Sequence, residues 1–159
     1  MNTKVTSEIC QLFQAWQEDD RSLAATVDDI RDWMCEVNQL GIPHFGETAA
    51  RLKPFRQSLI KHFDREKSML EKLAEIYPSA SPEVDAFRRQ TDLDHQELLS
   101  RLDDLHRRLD ETDPLFASWT EAMDQVDVFF AAVQQHELLE SDRVNMLVPE
   151  IDAPRDCFD

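Results

Sequence analysis

The chain has 159 residues, of which 42% are hydrophobic and 31% carry a charged side chain. This composition suits one globular domain with a single core and is short for two. Acidic residues outnumber basic residues by 33 to 17, for a net charge of −16. Binding to nucleic acid or to an acidic membrane surface needs a basic face, so we expect neither. Only two glycines occur, and no alternating run typical of a β-strand is present, which favours an all-α fold.

Four segments of the chain place apolar residues at steps of three and four, which is typical of helices that pack one face on a core. Turn-forming residues separate the segments at 41–46, 78–82 and 110–114. We therefore predict helices at roughly 7–40, 46–77, 82–110 and 114–147, with a kink or a frayed start near Pro54. Short connections make neighbouring helices antiparallel. The predicted fold is an up-down-up-down four-helix bundle over residues 1–149, followed by a C-terminal tail at 150–159.

Each of the four apolar stripes is interrupted by residues that bind metals well. The interruptions are Asp20 in the first helix, His62 and Glu66 in the second, His95 in the third, and His136 and Glu140 in the fourth. Burying an unpaired charge costs several kcal/mol, so a charged residue in a core needs a partner. A metal ion would satisfy all six residues at once. For any one of them, a hydrogen-bonded core residue is the alternative explanation.

The six residues are expected at one level of the bundle. On a rise of about 1.5 Å per residue, Asp20 precedes the first loop by about 33 Å and His62 follows it by about 30 Å. The second loop gives a similar agreement between His62 and His95. His136 fits this level only if the third loop uses several residues. The pairs at positions 62/66 and 136/140 each put two ligands on one helix face.

The chemistry of the six donors indicates which metals they would hold. Nitrogen and carboxylate donors without thiolates favour iron, manganese or zinc. Three histidines and three carboxylates can hold two metal ions, with Glu66 and Glu140 as bridges. A single ion is the alternative, although six donors exceed the tetrahedral set usual for zinc. His44 and His106 lie about 27 Å and 16 Å away along their helices, so we expect them outside the cluster and near the surface.

Four short motifs give the chain a resemblance to a known family over nearly its whole length. Residues 62–66 resemble the His-Phe-x-x-Glu helix of the hemerythrin-like, or HHE cation-binding, domains, and residues 94–98 resemble their Glu-His-x-x-Leu segment. Residues 136–140 resemble the closing His-x-x-x-Glu, and residues 146–149 the apolar end before a proline. At positions 19–23 the family shows Glu-His-x-x-Leu and this chain has Asp-Asp-Arg-Ser-Leu, so Asp20 stands in place of a histidine.

The resemblance implies a non-haem di-iron centre with an oxo or hydroxo bridge and carboxylate bridges. Such a centre binds, senses or reacts with dioxygen, peroxide, nitric oxide or iron. In this chain His62, His95 and His136 would be the nitrogen ligands and Asp20 a terminal oxygen ligand. A second class of function uses the same residues differently, as a metal-free or structurally metallated bundle that binds a partner or acts in a stress response.

Two positions depart from the pattern of the oxygen-carrying members of that family. Asp20 replaces one histidine, and Thr91, one turn before His95, occupies the place of another. Anionic ligands stabilise the ferric state, so we expect sensing or an oxidase- or peroxidase-type reaction in place of reversible oxygen carriage. Water, Gln135 or Glu137 are the alternatives for filling the coordination position near Thr91.

The cysteines and the hydropathy pattern bear on the cellular compartment. Cys10 and Cys35 would lie about 37 Å apart on one helix, which is too far for a disulfide, and Cys157 makes the number odd. No signal peptide or transmembrane run is visible in the sequence. These features predict a cytoplasmic protein.

Overall fold

The computed structural model describes residues 3–76, 78, 81–111 and 115–150, and these residues form four α-helices and no strand. The helices are α1 (Thr3–Gln39), α2 (Phe45–Ile76), α3 (Ser81–Asp110) and α4 (Trp119–Glu150). Each helix packs on its neighbours in chain order, and α1 also packs on α4, which closes the bundle. The predicted all-α four-helix bundle is therefore confirmed. Of the predicted tail at 150–159, residue 150 belongs to α4, contrary to the prediction, and residues 151–159 lie outside the described residues.

The turn between α1 and α2 is built around a glycine. Gly41 has a φ of 68°, a left-handed conformation that side chains rarely adopt, and its amide donates to the carbonyl of Asn38 at 3.1 Å. Helix α2 then begins at Phe45 and continues through Pro54. The predicted frayed start at this proline is not observed.

The start of α4 differs most from the sequence-based prediction. The hydroxyl of Ser118 accepts the amide of Glu121 at 3.1 Å, and the Glu121 carboxylate accepts the amide of Ala117 at 2.5 Å. This reciprocal cap begins the helix at Trp119, five residues after the predicted start at 114. The prediction relied on Pro114 and overlooked the Ser-x-x-Glu signal that follows it.

Because α4 begins late, His136 lies at the same height in the bundle as His95. From Trp119 to His136 the helix rises about 25 Å, and from His95 to the end of α3 at Asp110 it rises about 22 Å. The two histidines thus lie at nearly the same distance from the third loop. The loop uses several residues, as the level argument required.

The core consists of two apolar clusters, one on each side of the interrupted level. The larger cluster lies towards the first and third loops, where Phe55 meets Phe129 and Phe130 edge-on at centroid distances of 6.4 and 5.3 Å. The smaller cluster lies towards the second loop and includes Phe13 and Trp16. The polar residues of the four stripes fall between the two clusters, so the fold places them in a layer of their own.

Ion pairs join neighbouring helices at the surface. Arg31 on α1 contacts Asp127 on α4 at 2.8 Å, and Arg65 on α2 contacts Asp19 on α1 at 2.8 Å. Exposed pairs of this kind contribute at most about 1 kcal/mol each, so the apolar clusters provide most of the stability. In the described part of the chain, no helix is long and apolar enough to cross a bilayer. Cys35 is exposed and free, as expected for a residue that cannot reach Cys10. Cys10 is disulfide-bonded, contrary to the expectation of reduced cysteines.

Candidate metal centre

The structure brings five of the six predicted ligands into one buried layer. His62, Glu66, His95, His136 and Glu140 are each no more than 7% exposed. They come from α2, α3 and α4 and face one another across the middle of the bundle. Burial of this many titratable groups in contact is costly unless protons or cations balance their charge.

Within this layer the potential ligand atoms form two overlapping groups, in each of which the atoms lie within 4.8 Å of one another. One group is Glu66, His95, His136 and Glu140, and the other is His62, Glu66, Glu137 and Glu140. The two groups share the carboxylates of Glu66 and Glu140. Two metal ions bridged by carboxylates would need this arrangement, because each bridging residue offers one oxygen to each ion.

Glu137 belongs to the second of these groups, although the sequence suggested it only as an alternative for filling an open position. Its side chain is buried, and its Oε2 lies 2.8 Å from Nε2 of His62. The signal that could have found it is the helical spacing of α4. Counted from Val133, positions three, four and seven residues on are His136, Glu137 and Glu140, which all lie on one face.

The residues of the layer contact one another but leave several oxygens unpaired. Nε2 of His95 lies 3.0 Å from Oε1 of Glu140 and 3.6 Å from Oε2 of Glu66. Nε2 of His136 contacts the same oxygen of Glu140. Within the described part of the chain, both oxygens of Glu66, Oε2 of Glu140 and Oε1 of Glu137 are buried without a hydrogen-bond partner. Such atoms normally have a partner, and their chemistry suits a cation.

Aromatic packing holds the imidazoles of the centre. Phe63 stacks on His95 with ring centroids 3.6 Å apart and an angle of 7° between the planes. The rings of His95 and His136 meet edge-on at 4.9 Å. Phe63 is itself 95% buried in the larger apolar cluster. Its stacking therefore fixes the orientation of the His95 ring on the side that faces this cluster.

Proximity within the layer changes the protonation of its members. Burial raises the pKa of the Glu140 carboxyl, and the neighbouring Glu66 carboxylate raises it further, so Glu140 retains its proton at pH 7. Burial would also raise the pKa of Glu66, but the nearby polar groups of His95, whose Nε2 lies 3.6 Å away, and of Glu140 outweigh burial and lower it. Burial, and then the charge of His95, lower the pKa of His136 to about 4. His136 is therefore neutral at pH 7, which is the form that binds metals.

Asp20 lies at the edge of the layer and belongs to neither group of converging atoms. It is only partly buried, and burial followed by the charge of Glu137 raises its pKa to about 6. Asp20 and Glu137 both line a cleft of about 330 Å³ between α1 and α4, together with apolar residues such as Leu23 and Val133. The cleft leads from solvent to the side of the centre that holds Glu137. The role of Asp20 as a terminal ligand remains a prediction.

His44 and His106 belong to neither group of converging atoms, as expected. His44 is not a surface residue, because its ring is partly buried between Trp33 and Trp119, with centroid distances of 6.1 and 6.3 Å. The first loop folds back over the aromatic end of the bundle, which the sequence pattern did not indicate. His106 is also partly buried.

Fold and site together define a four-helix bundle with a buried layer of histidines and carboxylates. No family model and no solved structure matches the chain. Mouse (Mus musculus) pyrin is 21% identical over 136 residues, which is 81% of this chain and 17% of pyrin. The chain thus spans less than one fifth of that relative, and the similarity is too low to establish a family. The resemblance to hemerythrin-like domains remains a prediction.

The raised pKa of Asp20 gives a prediction for the metal-free protein. Folding raises this pKa from 3.8 to about 6, so the ionised carboxylate opposes folding, in full above pH 6 and progressively less as the pH falls towards 3.8. We expect Asp20→Asn to increase the free energy of unfolding by about 1 kcal/mol at pH 7, after a discount for partial exposure, and by less than half of that at pH 4.5.

Denaturant unfolding of chelator-treated protein at the two pH values measures this difference. Asp19→Asn is the matched control, because Asp19 contacts Arg65 at 2.8 Å and its loss should not stabilise the protein. An equal gain for Asp20→Asn at both pH values would contradict the prediction.

Proposed function

We propose that this chain holds two metal ions, with iron as the expected metal, in a centre bridged by Glu66 and Glu140. The observation that carries the proposal is the pair of carboxylates shared by two groups of converging donor atoms. Three of their four oxygens are buried without a hydrogen-bond partner among the described residues. A purely hydrogen-bonded core would leave fewer such atoms unsatisfied.

The remaining donors divide between the two proposed ions. His95 and His136 would bind one ion, and His62 and Glu137 would bind the other. Asp20 is the proposed terminal oxygen ligand of the second ion, beside Glu137. The donors are nitrogen and oxygen without sulfur, which suits iron and is also compatible with manganese or zinc.

Charge balance supports two ions better than one. The four carboxylates at positions 20, 66, 137 and 140 carry a charge of −4 when ionised, and the three imidazoles are neutral when they act as ligands. Two divalent cations balance this charge, whereas one would leave two buried negative charges. The proton held by Glu140 in the metal-free protein would be released on binding.

The proposed activity is to bind, sense or react with a small molecule: dioxygen, peroxide, nitric oxide or iron itself. When bound, a di-iron pair supplies one-electron chemistry and coordination positions for such a molecule. The cleft between α1 and α4, which has apolar walls and two carboxyl groups, supports access from solvent. Both an oxidase- or peroxidase-type reaction and sensing without turnover use this arrangement. A cytoplasmic location is part of the proposal.

A metal-free or structurally metallated bundle that binds a partner is the alternative. The observation that favours it is the pairing already present in the layer, between His62 and Glu137 at 2.8 Å and between His95 and Glu140 at 3.0 Å. In that case these contacts would form a polar core that fixes the alignment of the helices.

Metal analysis separates the two functions. The full chain is purified under low oxygen, loaded with ferrous iron and freed of excess metal by gel filtration. We expect about two irons per chain, and an oxo-to-iron charge-transfer band after exposure to air. An iron content near zero, with a melting temperature that chelation does not change, would reject the di-iron proposal and favour the alternative.

A further inference from the structure

A buried threonine beside the centre lacks the hydrogen bond that such residues usually make. A threonine within a helix commonly bonds back to the carbonyl one turn earlier. Thr26 donates to Ser22 at 3.0 Å and Thr48 donates to His44 at 2.7 Å in this way. Thr91 is 98% buried, and its hydroxyl has no partner within the described part of the chain. Unlike those two residues, Thr91 does not bond to the carbonyl one turn earlier.

The position of Thr91 leaves the centre as its polar neighbour. Thr91 precedes His95 by one turn on the same face of α3, which separates their β-carbons by about 5–6 Å. Thr91 lies ten residues after the start of α3 and Glu66 ten residues before the end of α2, so the two are at one level, with Trp16 and Glu140 on the other helices. All three of these neighbours are no more than 4% exposed. The indole N–H of Trp16 is also without a partner among the described residues, so the two groups do not pair with each other. The unpaired oxygens of Glu66 and Glu140 do not accept a hydrogen bond from Thr91 in this structure, so its hydroxyl is left for a molecule that enters the layer.

We propose that the Thr91 hydroxyl donates a hydrogen bond to a small ligand bound on the His95 side of the centre. The ligand class is a hydrogen-bond acceptor of two or three atoms, with oxygen or nitrogen at its end, because the densely packed interior leaves little space beside a metal ion. Thr91 is thus a residue that determines which small molecules the centre retains, and it acts without binding the metal. This inference rests on the proposed function.

Azide binding to the iron-loaded full chain tests the inference. Thr91→Val replaces the hydroxyl with a methyl group of similar volume, and we expect azide affinity, measured by absorbance titration, to fall about fivefold to tenfold with iron content unchanged. Thr91→Ser keeps a hydroxyl and should restore most of the affinity. Thr48→Val is the matched control: Thr48 is equally buried but bonded to His44, so its loss should leave azide affinity unchanged.

Melting of the chelator-treated variants gives a second measurement that does not depend on the metal. Thr91→Val should melt at or above the wild-type temperature because it removes an unpaired buried hydroxyl, whereas Thr48→Val should melt lower because it removes a hydrogen bond. Equal losses in the two variants would show that the Thr91 hydroxyl is already paired within the protein, which overturns the inference.

Two further outcomes would also overturn it. One is wild-type azide affinity in a Thr91→Val protein that holds its full iron content. The other is a wild-type protein that holds iron and does not bind azide. Failure of the wild-type protein to take up iron is recognised earlier, in the metal analysis, and rejects the proposed function itself.

Discussion

Glu66→Gln is expected to remove both metal ions, whereas Glu137→Gln removes about one. Glu66 belongs to both groups of donor atoms and is completely buried, so its neutral amide would deprive each ion of a negatively charged ligand. Glu137 belongs to the His62 group alone, and its loss leaves the His95 group intact. The comparison therefore tests whether the two groups bind separate ions with shared bridges.

The measurement is the metal content of each variant per chain, after loading and gel filtration under the same conditions as the wild type. Glu71→Gln is a matched control, since Glu71 lies on the same helix as Glu66 and is exposed. It should retain the wild-type metal content. Circular dichroism of each metal-free variant establishes that the bundle is folded. Equal metal contents in Glu66→Gln and Glu137→Gln would argue against a bridged pair.

Metal loading is expected to raise the melting temperature by about 15–30 °C. A ligand that binds only the folded state at a thousandfold excess over its dissociation constant adds about 4 kcal/mol, so two ions add about 8 kcal/mol. For a chain of this length each kcal/mol shifts melting by about 2–4 °C. The physical source is the buried carboxylate layer, which is self-repelling when ionised and becomes neutral with two cations.

Differential scanning calorimetry of chelated and loaded protein measures the shift. The Glu66→Gln variant is the internal control, because it should melt at nearly the same temperature with and without added metal. A shift of only a few degrees in the wild type, or an equal shift in the variant, would indicate weak surface binding and not a buried centre.

The sequence predicted the helices well where apolar spacing and loop residues agree. The first three helices match the predicted bounds within a few residues, because glycines and prolines mark their ends. The start of α4 was wrong, since the cap formed by Ser118 and Glu121 takes precedence over the proline at 114. Backbone hydrogen bonds of this kind depend on side-chain geometry that helical periodicity does not encode.

The sequence predicted only part of the candidate site, because helical periodicity carries limited information about how the helices pack. Periodicity gives the face of each helix, and that sufficed to place five predicted residues in the layer: His62, Glu66, His95, His136 and Glu140. It does not give the spacing between helices. The gap between α1 and α4 leaves Asp20 at the rim of the layer, while Glu137, next to the stripe, turns inward to fill the adjacent position. The sharing of carboxylates between two groups is a distance relation that only the packed structure shows.

The separation of the core into two apolar clusters has a consequence for the dynamics of the metal-free protein. The smaller cluster is joined to the larger one through a belt of polar side chains in which several buried oxygens lack a partner among the described residues, so it gains less cooperativity from the rest of the bundle than apolar packing would give. The end of the molecule near the second loop should therefore open as a separate unit, with faster amide exchange than the end built around Phe55. Metal ions bound in this polar layer would make the two apolar clusters unfold together as one cooperative unit.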